Sequence, residues 1–500
     1  MSGSAPPATA PANEASLIVI LVAAAFFMEN LDGTIIATAL PQMARSFGVH
    51  PVDLSIGITS YLLTLAVFIP VSGWAADRFG VRTVFTTAIA VFTAASMVCG
   101  MTQGLAEFTA ARVVQGIGGA MMVPVGRLAV LRATRKEDLM RAIAIITWPG
   151  LVAPVIGPPL GGFITTYSSW RWIFYLNLPL GLIGIALAWR FIDNAREDAK
   201  RPFDTLGFVL CGFACTTLLY ATELIGRSDA PWREALAFLA VGGVSGAVAL
   251  VHLRRARNPV VDLSAFRVHT FAVSMTGGSI FRISISVVPF LLPLMFQVGF
   301  GMNAFHSGLL TLAVFAGNLS MKLVTTPVMK RFGFRSVLLA NGAFAAATLA
   351  AMSLLTPSTP DFWIVAVLFV SGLSRSLQFT AINTLSFADV PKPQMSGAST
   401  LASTLNQMTM GMGVAFGAIA LRAATWLHGH SAQPSTPADF ALAFLFVAAL
   451  GFVGIFDVFG LDRDAGAHVS GHVSTRRAAP SVLTAPSGGS ERSERRGDSS

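Results

Sequence analysis

Residues 150–162 read GLVAPVIGPPLGG, and this stretch decides the fold. It lies in an apolar run of residues 142–164, which is long enough to cross a bilayer as one helix. Gly157 and Gly161 share a helix face because they are four residues apart, and a neighbouring helix can approach the backbone closely there. Four prolines interrupt the run and bend the helix: Pro149, Pro154, Pro158 and Pro159. Faces of small residues are common in membrane helices, but prolines this dense are rarer. The stretch therefore predicts a bent, tightly packed helix at an interface that stays sealed while other parts move.

The whole sequence is too apolar for a soluble protein. Its 500 residues are 54% hydrophobic and 12% charged, with a mean hydropathy of +0.67, whereas soluble domains carry about 25% charged residues. The net charge of +9 would point to nucleic acid in a soluble protein, but here the basic residues fall between apolar runs. We therefore predict a membrane protein with no nucleic acid partner. The three cysteines all lie in apolar runs, which favours a structural role over metal binding.

The apolar runs predict an all-α polytopic membrane protein with about 14 transmembrane helices. Runs of roughly 18–26 residues recur between short polar breaks, and the predicted fold is two six-helix bundles separated by a two-helix insert. The predicted segments are a disordered cytoplasmic tail (1–15), the first bundle (16–192), the insert (203–256), the second bundle (268–460) and a second disordered cytoplasmic tail (461–500).

Lysine and arginine are concentrated in alternate breaks, which the positive-inside rule assigns to the cytoplasm. The basic breaks hold Arg78 and Arg82; Arg132, Arg135, Lys136 and Arg141; Arg196, Lys200 and Arg201; Arg254, Arg255 and Arg257; and Lys330, Arg331 and Arg335. An even number of spans then places both termini in the cytoplasm.

The two halves of the chain share a short repeat. Residues 78–82 read RFGVR and residues 331–335 read RFGFR, each directly after the second span of its half. The matching position predicts a gene duplication, which is common in transporters.

Residues 73–82, GWAADRFGVR, resemble motif A of the major facilitator superfamily. The resemblance implies a cytoplasmic gate, in which an acid beside arginines forms charge-assisted bonds that latch the bundles together. The alternative is an ordinary basic loop. The gate residues would be Gly73, Asp77, Arg78, Gly80 and Arg82; Val81 departs from the motif, and Lys330 replaces the acid in the second copy.

The opening stretch resembles the antiporter motif of the same superfamily, although Ala153 stands at its first glycine. The residues assigned to this motif are Pro154, Gly157, Pro158, Gly161 and Gly162. Residues 170–181 resemble a signature that opens the sixth span in members with fourteen spans, and we assign no chemistry to them.

Two buried charges are the predicted proton-coupling residues. Residues 28–41 resemble the first-span signature of drug:proton antiporters and contain Asp32, while residues 108–119 resemble motif B and contain Arg112. Burying an arginine in an apolar run costs free energy unless the arginine is paired with an opposite charge or hydrated. The resemblance implies that the two residues move protons. The alternatives are an acid at a helix end for Asp32 and a snorkelling interfacial side chain for Arg112.

Three further charged residues are predicted to line the substrate cavity. Glu29 shares a helix face with Asp32, and Arg282 and Arg375 lie in apolar runs of the second half, where charges usually face a cavity or a partner. Lys322 lies in a similar run, where it could instead snorkel to the cytoplasm.

Together the motifs resemble the fourteen-span drug:proton antiporter family. The resemblance implies a transporter, not an enzyme, that exports small molecules, multidrug efflux among them, by alternating access in a bacterial-type inner membrane. Its partners would be the substrate, protons and the lipid bilayer; a periplasmic adaptor is left open. No lysine follows a glycine, so there is no phosphate-binding loop, and the proton gradient replaces any cofactor. The alternatives are a proton-coupled exporter of an anionic metabolite and a non-transporting membrane sensor or scaffold.

Overall fold

A computed structural model describes residues 12–135, 137–194, 202–225, 232–429, 434–462 and 465–470. Within these ranges the chain is helical without strands, and 14 helices are long and apolar enough to cross a membrane. The predicted all-α fold with about 14 spans is confirmed. Outside the described residues lie most of the two predicted tails and the basic residues Lys136, Arg196, Lys200 and Arg201.

The first bundle contains six spans and two further short helices. A left-handed Gly48 (φ 68°) ends the short helix α2, which follows the first span. The helices are α1 (Ala12–Ile35), α2 (Leu40–Phe47), α3 (Ser55–Phe79), α4 (Val81–Met101), α5 (Leu105–Ala133), α6 (Leu139–Tyr167), α7 (Trp172–Tyr175) and α8 (Asn177–Phe191).

The insert is a pair of helices packed on each other, and the second bundle follows it. The helices of the insert are α9 (Thr205–Ile225) and α10 (Trp232–Arg255). The helices of the second bundle are α11 (His269–Ser286), α12 (Val288–Leu294), α13 (Ala304–Met321), α14 (Thr325–Met352), α15 (Asp361–Ala388), α16 (Met395–Leu427) and α17 (Pro437–Val453), with a short α18 (Ala467–Ser470) after them.

Two boundaries differ from the sequence prediction. The first helix begins at Ala12, so residues 12–15 of the predicted tail are helical. At the other end, the short helix α18 lies within the predicted tail of residues 461–500. Helix ends are the least certain feature of a sequence pattern, since only the apolar core of each span is marked.

The repeated loop has the same backbone geometry in both halves. Gly80 (φ 91°) breaks the chain between α3 and α4, and Gly333 (φ 71°) makes the corresponding break inside α14. A side chain at either glycine would be strained in this conformation. Two residues further on, Arg82 stacks 5.2 Å from the Trp189 ring, and Arg335 Nη2 donates to the Phe459 carbonyl over 3.2 Å. Each arginine thus reaches the last span of its own bundle, as a duplication predicts.

The bundles meet along two seams, which we name by their helices: α6/α13 and α3/α16. The face of the molecule that carries Gly80, Gly333 and the basic breaks is called the basic face below. At the α6/α13 seam, Gly162 lies on the backbone of Ala304, and Gly308 lies on that of Pro158. These close contacts lie in the half of each helix farther from the basic face.

The glycines of the opening stretch divide between two neighbours. Gly157 and Gly161 face α1 of their own bundle: an added Cβ at Gly161 would come within 2.8 Å of Ile35 Cγ1. Gly162 faces the second bundle, where its Cβ would come within 2.9 Å of Phe305 Cα. The close contact between the bundles at this seam therefore depends on Gly162, while the predicted pair of glycines joins helices of one bundle.

Candidate functional site: a buried charge cluster in the first bundle

Asp32 and Arg112 form an ion pair inside the first bundle. Arg112 Nη1 donates to Asp32 Oδ2 over 2.6 Å, and the two residues are 0% and 2% exposed respectively. Asp32 lies near the end of α1, and Arg112 lies two turns into α5. The structure thus brings together the two predicted proton-coupling residues, in a geometry unlike that of a snorkelling arginine.

Neutral polar side chains complete the cluster around the carboxylate. Gln115 Nε2 donates to Asp32 Oδ1 over 2.9 Å, and Asn177 Nδ2 donates to the same oxygen over 3.0 Å. Arg112 Nη1 also donates to Gln115 Oε1 over 2.6 Å, and its guanidinium lies 4.1 Å from the centre of the Tyr61 ring. Three donors on one carboxylate stabilise its ionised form. Removing one partner of such a buried pair costs about 3–5 kcal/mol, because the other charge is left uncompensated.

The sequence did not identify Gln115, Asn177 or Tyr61 as members of this cluster. Gln115 lies one turn after Arg112, so its helix face was readable from the spacing. Asn177 belongs to the sixth-span signature, to which no chemistry was assigned. An amide in the middle of an apolar run was the only available signal there.

Glu29 lies one turn before Asp32 on α1 but outside the hydrogen-bonded cluster. It is half-buried, and its Oε2 is buried without a hydrogen-bond partner among the described residues. Arg127 of α5, which the sequence analysis also missed, stacks 5.4 Å from the ring of Phe26, one turn before Glu29. The first bundle therefore holds two carboxyls of different character, one fixed in an ion pair and one without a bonded partner.

The cations of the second bundle gather around one face of α15. Arg282 is buried and donates to Asn383 Oδ1 over 2.9 Å and to the Ser274 carbonyl over 3.1 Å. Its guanidinium lies 5.9 Å from the ring of Phe379, which shares a helix face with Arg375. Within the described part of the chain, neither arginine has a carboxylate partner.

The other two cationic side chains in this region, Arg375 and Lys322, contact neutral groups. Arg375 is half-buried, its Nη1 is buried without a hydrogen-bond partner within the described ranges, and its guanidinium lies 6.0 Å from the Phe315 ring. Lys322 is exposed and donates to Thr380 Oγ1 over 2.8 Å. Lys322 therefore reaches the surface, as the snorkelling alternative predicted.

The described contacts of two predicted gate residues, Asp77 and Gly80, lie within the first bundle. Asp77 Oδ1 lies 3.9 Å from Arg132 Nη2 at the end of α5, while Arg78 is exposed. Gly73 has open space around it, and a side chain at Gly80 would collide with Asn194. These contacts join α3 to α5 and to the segment that follows α8, and the latch between the bundles stays a prediction.

The face opposite the basic face is closed by polar contacts between the bundles. Arg422 of α16 forms an ion pair with Asp53, which lies before α3, and Gln297 Nε2 donates to the Thr38 carbonyl over 3.1 Å. Outside these contacts lies a depression of about 2250 Å³, which Arg45, Asp53 and Arg422 help to line. None of the predicted site residues lines this depression.

We expect Asp53→Asn to weaken this closure. An ion pair of this exposure contributes up to about 1 kcal/mol, which corresponds to roughly a fivefold shift between closed and open states. A cysteine at Thr59, buried beside Gly411 at the α3/α16 seam, reports the change. Its labelling by a membrane-impermeant thiol reagent should rise by up to about fivefold. The control is Asp361→Asn on the same face.

Asp361 pairs with His306 inside the second bundle, so its loss should leave the labelling unchanged. Equal labelling of Thr59→Cys with and without Asp53→Asn would show that the ion pair does not hold the bundles together.

The fold and this charge cluster define a class: polytopic helical membrane transporters with paired charges inside a six-span bundle. The sequence matches the family model of the Major Facilitator Superfamily over residues 22–414. The chain belongs to the major facilitator superfamily, as its motifs predicted, and is a multi-pass membrane transporter of small molecules. The superfamily consists of transporters, not enzymes.

Relatives and solved structures agree with this assignment. The chain is 39% identical over 401 residues to a putative multidrug resistance protein MdtD of Pectobacterium atrosepticum, covering 80% of this chain and 86% of that protein. It is 38% identical over 403 residues to the protein of that name in Escherichia coli, covering 80% and 85%. A solved POT family peptide transporter is 16% identical with a TM-score of 0.63, covering 88% of this chain and 96% of that one. A solved D-xylose-proton symporter is 14% identical with a TM-score of 0.63, covering 90% and 99%.

Proposed function

We propose that the chain exports small, lipophilic molecules, cations among them, in exchange for protons, by alternating access. The observation that carries this proposal is the ion pair of Asp32 and Arg112 in the interior of the first bundle. Charges buried in a membrane protein are rare and mark ion or substrate pathways. The names of the two MdtD relatives support multidrug efflux as the outcome.

In this proposal Asp32 carries the proton. Protonation would neutralise a carboxylate that accepts three hydrogen bonds, so Arg112 would lose its counter-charge while still buried. That arrangement is unfavourable, and the first bundle would respond by changing its packing or by opening a path to water. Proton binding and conformational change are then linked through one pair of residues.

Glu29 has a different proposed role from that of Asp32. Its carboxyl is only half-buried and has an oxygen without a hydrogen-bond partner in the described structure, so it is free to recognise a cation. Arg127 stacks on Phe26, which lies one turn before Glu29 on α1, and it is the proposed partner of the ionised carboxylate. A bound cationic substrate would compete with this arginine for the carboxylate.

The proposed orientation places the basic face and both termini in the cytoplasm of a bacterial-type cell, with the protein in the inner membrane. The asymmetry of lysine and arginine between the two faces supports it. Reporter fusions between Arg132 and Arg141 and after Ser500 should read as cytoplasmic. A periplasmic signal from either would reverse the assignment.

Transport can be tested with the purified chain in proteoliposomes that contain a pH-sensitive dye. We expect tetraphenylphosphonium, a lipophilic cation, to drive proton movement at a rate well above that of empty vesicles. A panel of organic cations and carboxylates then defines the substrate class. If no compound moves protons in vesicles that hold folded protein, the sensor or scaffold alternative is favoured.

One observation supports export of an anionic metabolite as a second candidate function. Arg375 of α15 and Arg282 of α11, which donates to Asn383 of α15, have no carboxylate partner among the residues described, and a substrate carboxylate would neutralise them. In the same panel, this candidate requires that carboxylates move protons and that Arg375→Gln removes their effect. Proton movement driven only by cations would exclude it.

A further inference from the structure

The sixth-span signature, residues 170–181, reaches the charge cluster through a chain of hydrogen bonds. Asn177 Nδ2 donates to Asp32 Oδ1 over 3.0 Å and to Ser96 Oγ of α4 over 2.9 Å. Ser96 Oγ in turn donates to the carbonyl of Phe174 over 2.9 Å. The chain therefore runs from a backbone carbonyl through a hydroxyl and an amide to the carboxylate.

Ser96 can reach the amide because α4 and α8 pack closely on both sides of it. Gly181 lies on α8, and a Cβ there would come within 2.7 Å of Thr93 Cγ2, one turn before Ser96 on α4. One turn after Ser96, a Cβ at Gly100 would come within 3.0 Å of Tyr175 Cζ. The serine is 0% exposed and the amide residue is 2% exposed, so water does not compete for these hydrogen bonds.

The direction of these hydrogen bonds is fixed at the carbonyl end. A backbone carbonyl can only accept, so the Ser96 hydroxyl donates to Phe174, and the Ser96 oxygen is left to accept. An asparagine amide presents two N–H donors on its nitrogen, or an acceptor if it is turned over. Because Ser96 accepts, the nitrogen of Asn177 faces it, and the second N–H of that nitrogen is directed to Asp32.

This orientation of the amide suits the ionised form of Asp32. The carboxylate accepts the Asn177 N–H, whereas a protonated carboxyl would donate to the amide oxygen if the amide turned over. Turning the amide over would leave the Ser96 oxygen without its donor, or would draw the Ser96 hydroxyl away from Phe174. A buried polar group that loses its partner costs free energy. Ser96 therefore disfavours protonation of Asp32 by acting through Asn177.

Ionisable side chains around Asp32 are the other influence on its proton. Four helices contribute those that interact with it: Glu29 of α1, Tyr61 of α3, Cys99 of α4 and Arg112 of α5. Those of α6, α7 and α8 lie toward the helix ends: Arg141, Tyr167, Tyr175 and Arg190. Replacing Ser96 removes a neutral hydroxyl and leaves all of these groups in place.

We propose that Ser96 is a positioning residue for proton coupling: it holds Asn177 as a hydrogen-bond donor to Asp32 and thereby sets the pH at which Asp32 takes up and releases its proton. This proposal rests on the proposed function, in which Asp32 carries the proton. It also gives the sixth-span signature a role, since that signature supplies both Asn177 and the Phe174 carbonyl that orients Ser96.

Infrared difference spectroscopy of the purified protein measures protonation of Asp32 without transport. The carbonyl stretch of protonated Asp32 is identified by its absence in Asp32→Asn, and its intensity is followed against pH. We expect Ser96→Ala to raise the pH of half-protonation by about one unit, since the ionised form loses a well-placed donor. Ser284→Ala is the matched control and should cause no shift. Ser284 of α11 is also 0% exposed, and its hydroxyl donates to the Phe281 carbonyl over 2.8 Å.

A double-mutant cycle separates positioning from a general effect on the fold. Asn177→Ala should raise the pH of half-protonation at least as much as Ser96→Ala does. Adding Ser96→Ala to Asn177→Ala should change it no further, because Ser96 then has no amide to orient. An unchanged titration in Ser96→Ala, or an equal shift with and without Asn177, would show that Ser96 does not act through Asn177 and that this inference is wrong.

Transport separates this inference from the proposed function. In proteoliposomes, tetraphenylphosphonium-driven proton movement should decline at alkaline pH, where Asp32 no longer loads a proton, and Ser96→Ala should move this decline to higher pH. If the probe moves protons but the Ser96 variant titrates normally, only the inference fails. If the infrared shifts occur but no compound moves protons, the proposed function is wrong and the positioning of Asn177 stands. If Asp32 shows no protonation at any pH at which the protein is folded, Asp32 is not the carrier and both proposals fail.

Discussion

Asp32→Asn should abolish substrate-dependent proton movement while leaving the protein folded. Asparagine is close to isosteric with aspartate, and its one amide oxygen can still accept the hydrogen bond from Arg112. It cannot bind or release a proton, and it leaves Arg112 buried without a counter-charge. The measurement is tetraphenylphosphonium-driven dye response in proteoliposomes, and we expect a signal no greater than that of empty vesicles.

The loss of the ion pair must be separated from the loss of the proton carrier. Breaking a buried pair costs about 3–5 kcal/mol, whereas replacing both charges together is much less damaging. The double variant Asp32→Asn with Arg112→Gln should therefore recover thermal stability relative to Asp32→Asn alone. If coupling depends on the carboxyl, that double variant should remain uncoupled.

Glu29→Gln is the matched control, since it neutralises the neighbouring carboxyl on the same helix face. We expect it to keep proton coupling and to weaken recognition of cationic substrates most. If Glu29→Gln loses coupling and Asp32→Asn keeps it, Glu29 is the proton carrier. If both variants remain coupled, the carrier lies outside the first span.

Much of the fold could be read from the sequence because the membrane imposes its own length scale. Apolar runs of bilayer length predicted the 14 spans, since a helix satisfies its backbone hydrogen bonds internally. The repeated loop predicted the duplication because its glycine has a conformation that other residues seldom adopt. Gly80 and Gly333 both have positive φ, so the constraint is visible in the sequence as well as in the backbone.

The site was only partly predictable because its contacts join distant parts of the chain. Asp32 and Arg112 are 80 residues apart, and nothing in their local spacing gives their separation in space. Asn177 is 145 residues from Asp32, and a single amide side chain within an apolar run does not indicate that its partner is a carboxylate. Such contacts depend on how the spans pack, which the apolar pattern does not encode.

Residues 150–162 show the same limit of sequence-based prediction within a single helix. The spacing of Gly157 and Gly161 identified a face for close packing, but could not say which helix occupies it. In the structure that helix is α1 of the same bundle, while the adjacent Gly162 meets α13 of the other. A difference of one residue on a helix turns the side chain by about 100°. Substitutions at these neighbouring glycines should therefore have different consequences.

Gly162→Leu should leave the protein folded but unable to close the face opposite the basic face. The new side chain would meet the backbone of Ala304 and Phe305, with its Cβ 2.9 Å from Phe305 Cα, and a backbone cannot move aside as a flexible side chain can. Overpacking of this kind costs about 1–3 kcal/mol, which lowers the population of the closed state by roughly five- to 150-fold. The labelling of Thr59→Cys should rise and transport should fall by about the same factor.

Two further leucine substitutions separate this effect from damage to the fold. Gly157→Leu would collide with Thr34 of α1, two residues from Asp32, so we expect a lower thermal midpoint as well as lost coupling. Gly243→Leu, on α10 with open space around it, should change neither stability nor transport. If Gly162→Leu transports normally, the α6/α13 contact does not close during the cycle. If it lowers stability as much as Gly157→Leu does, the contact belongs to the fold itself, because a seam that opens in every cycle cannot be essential for holding each bundle together.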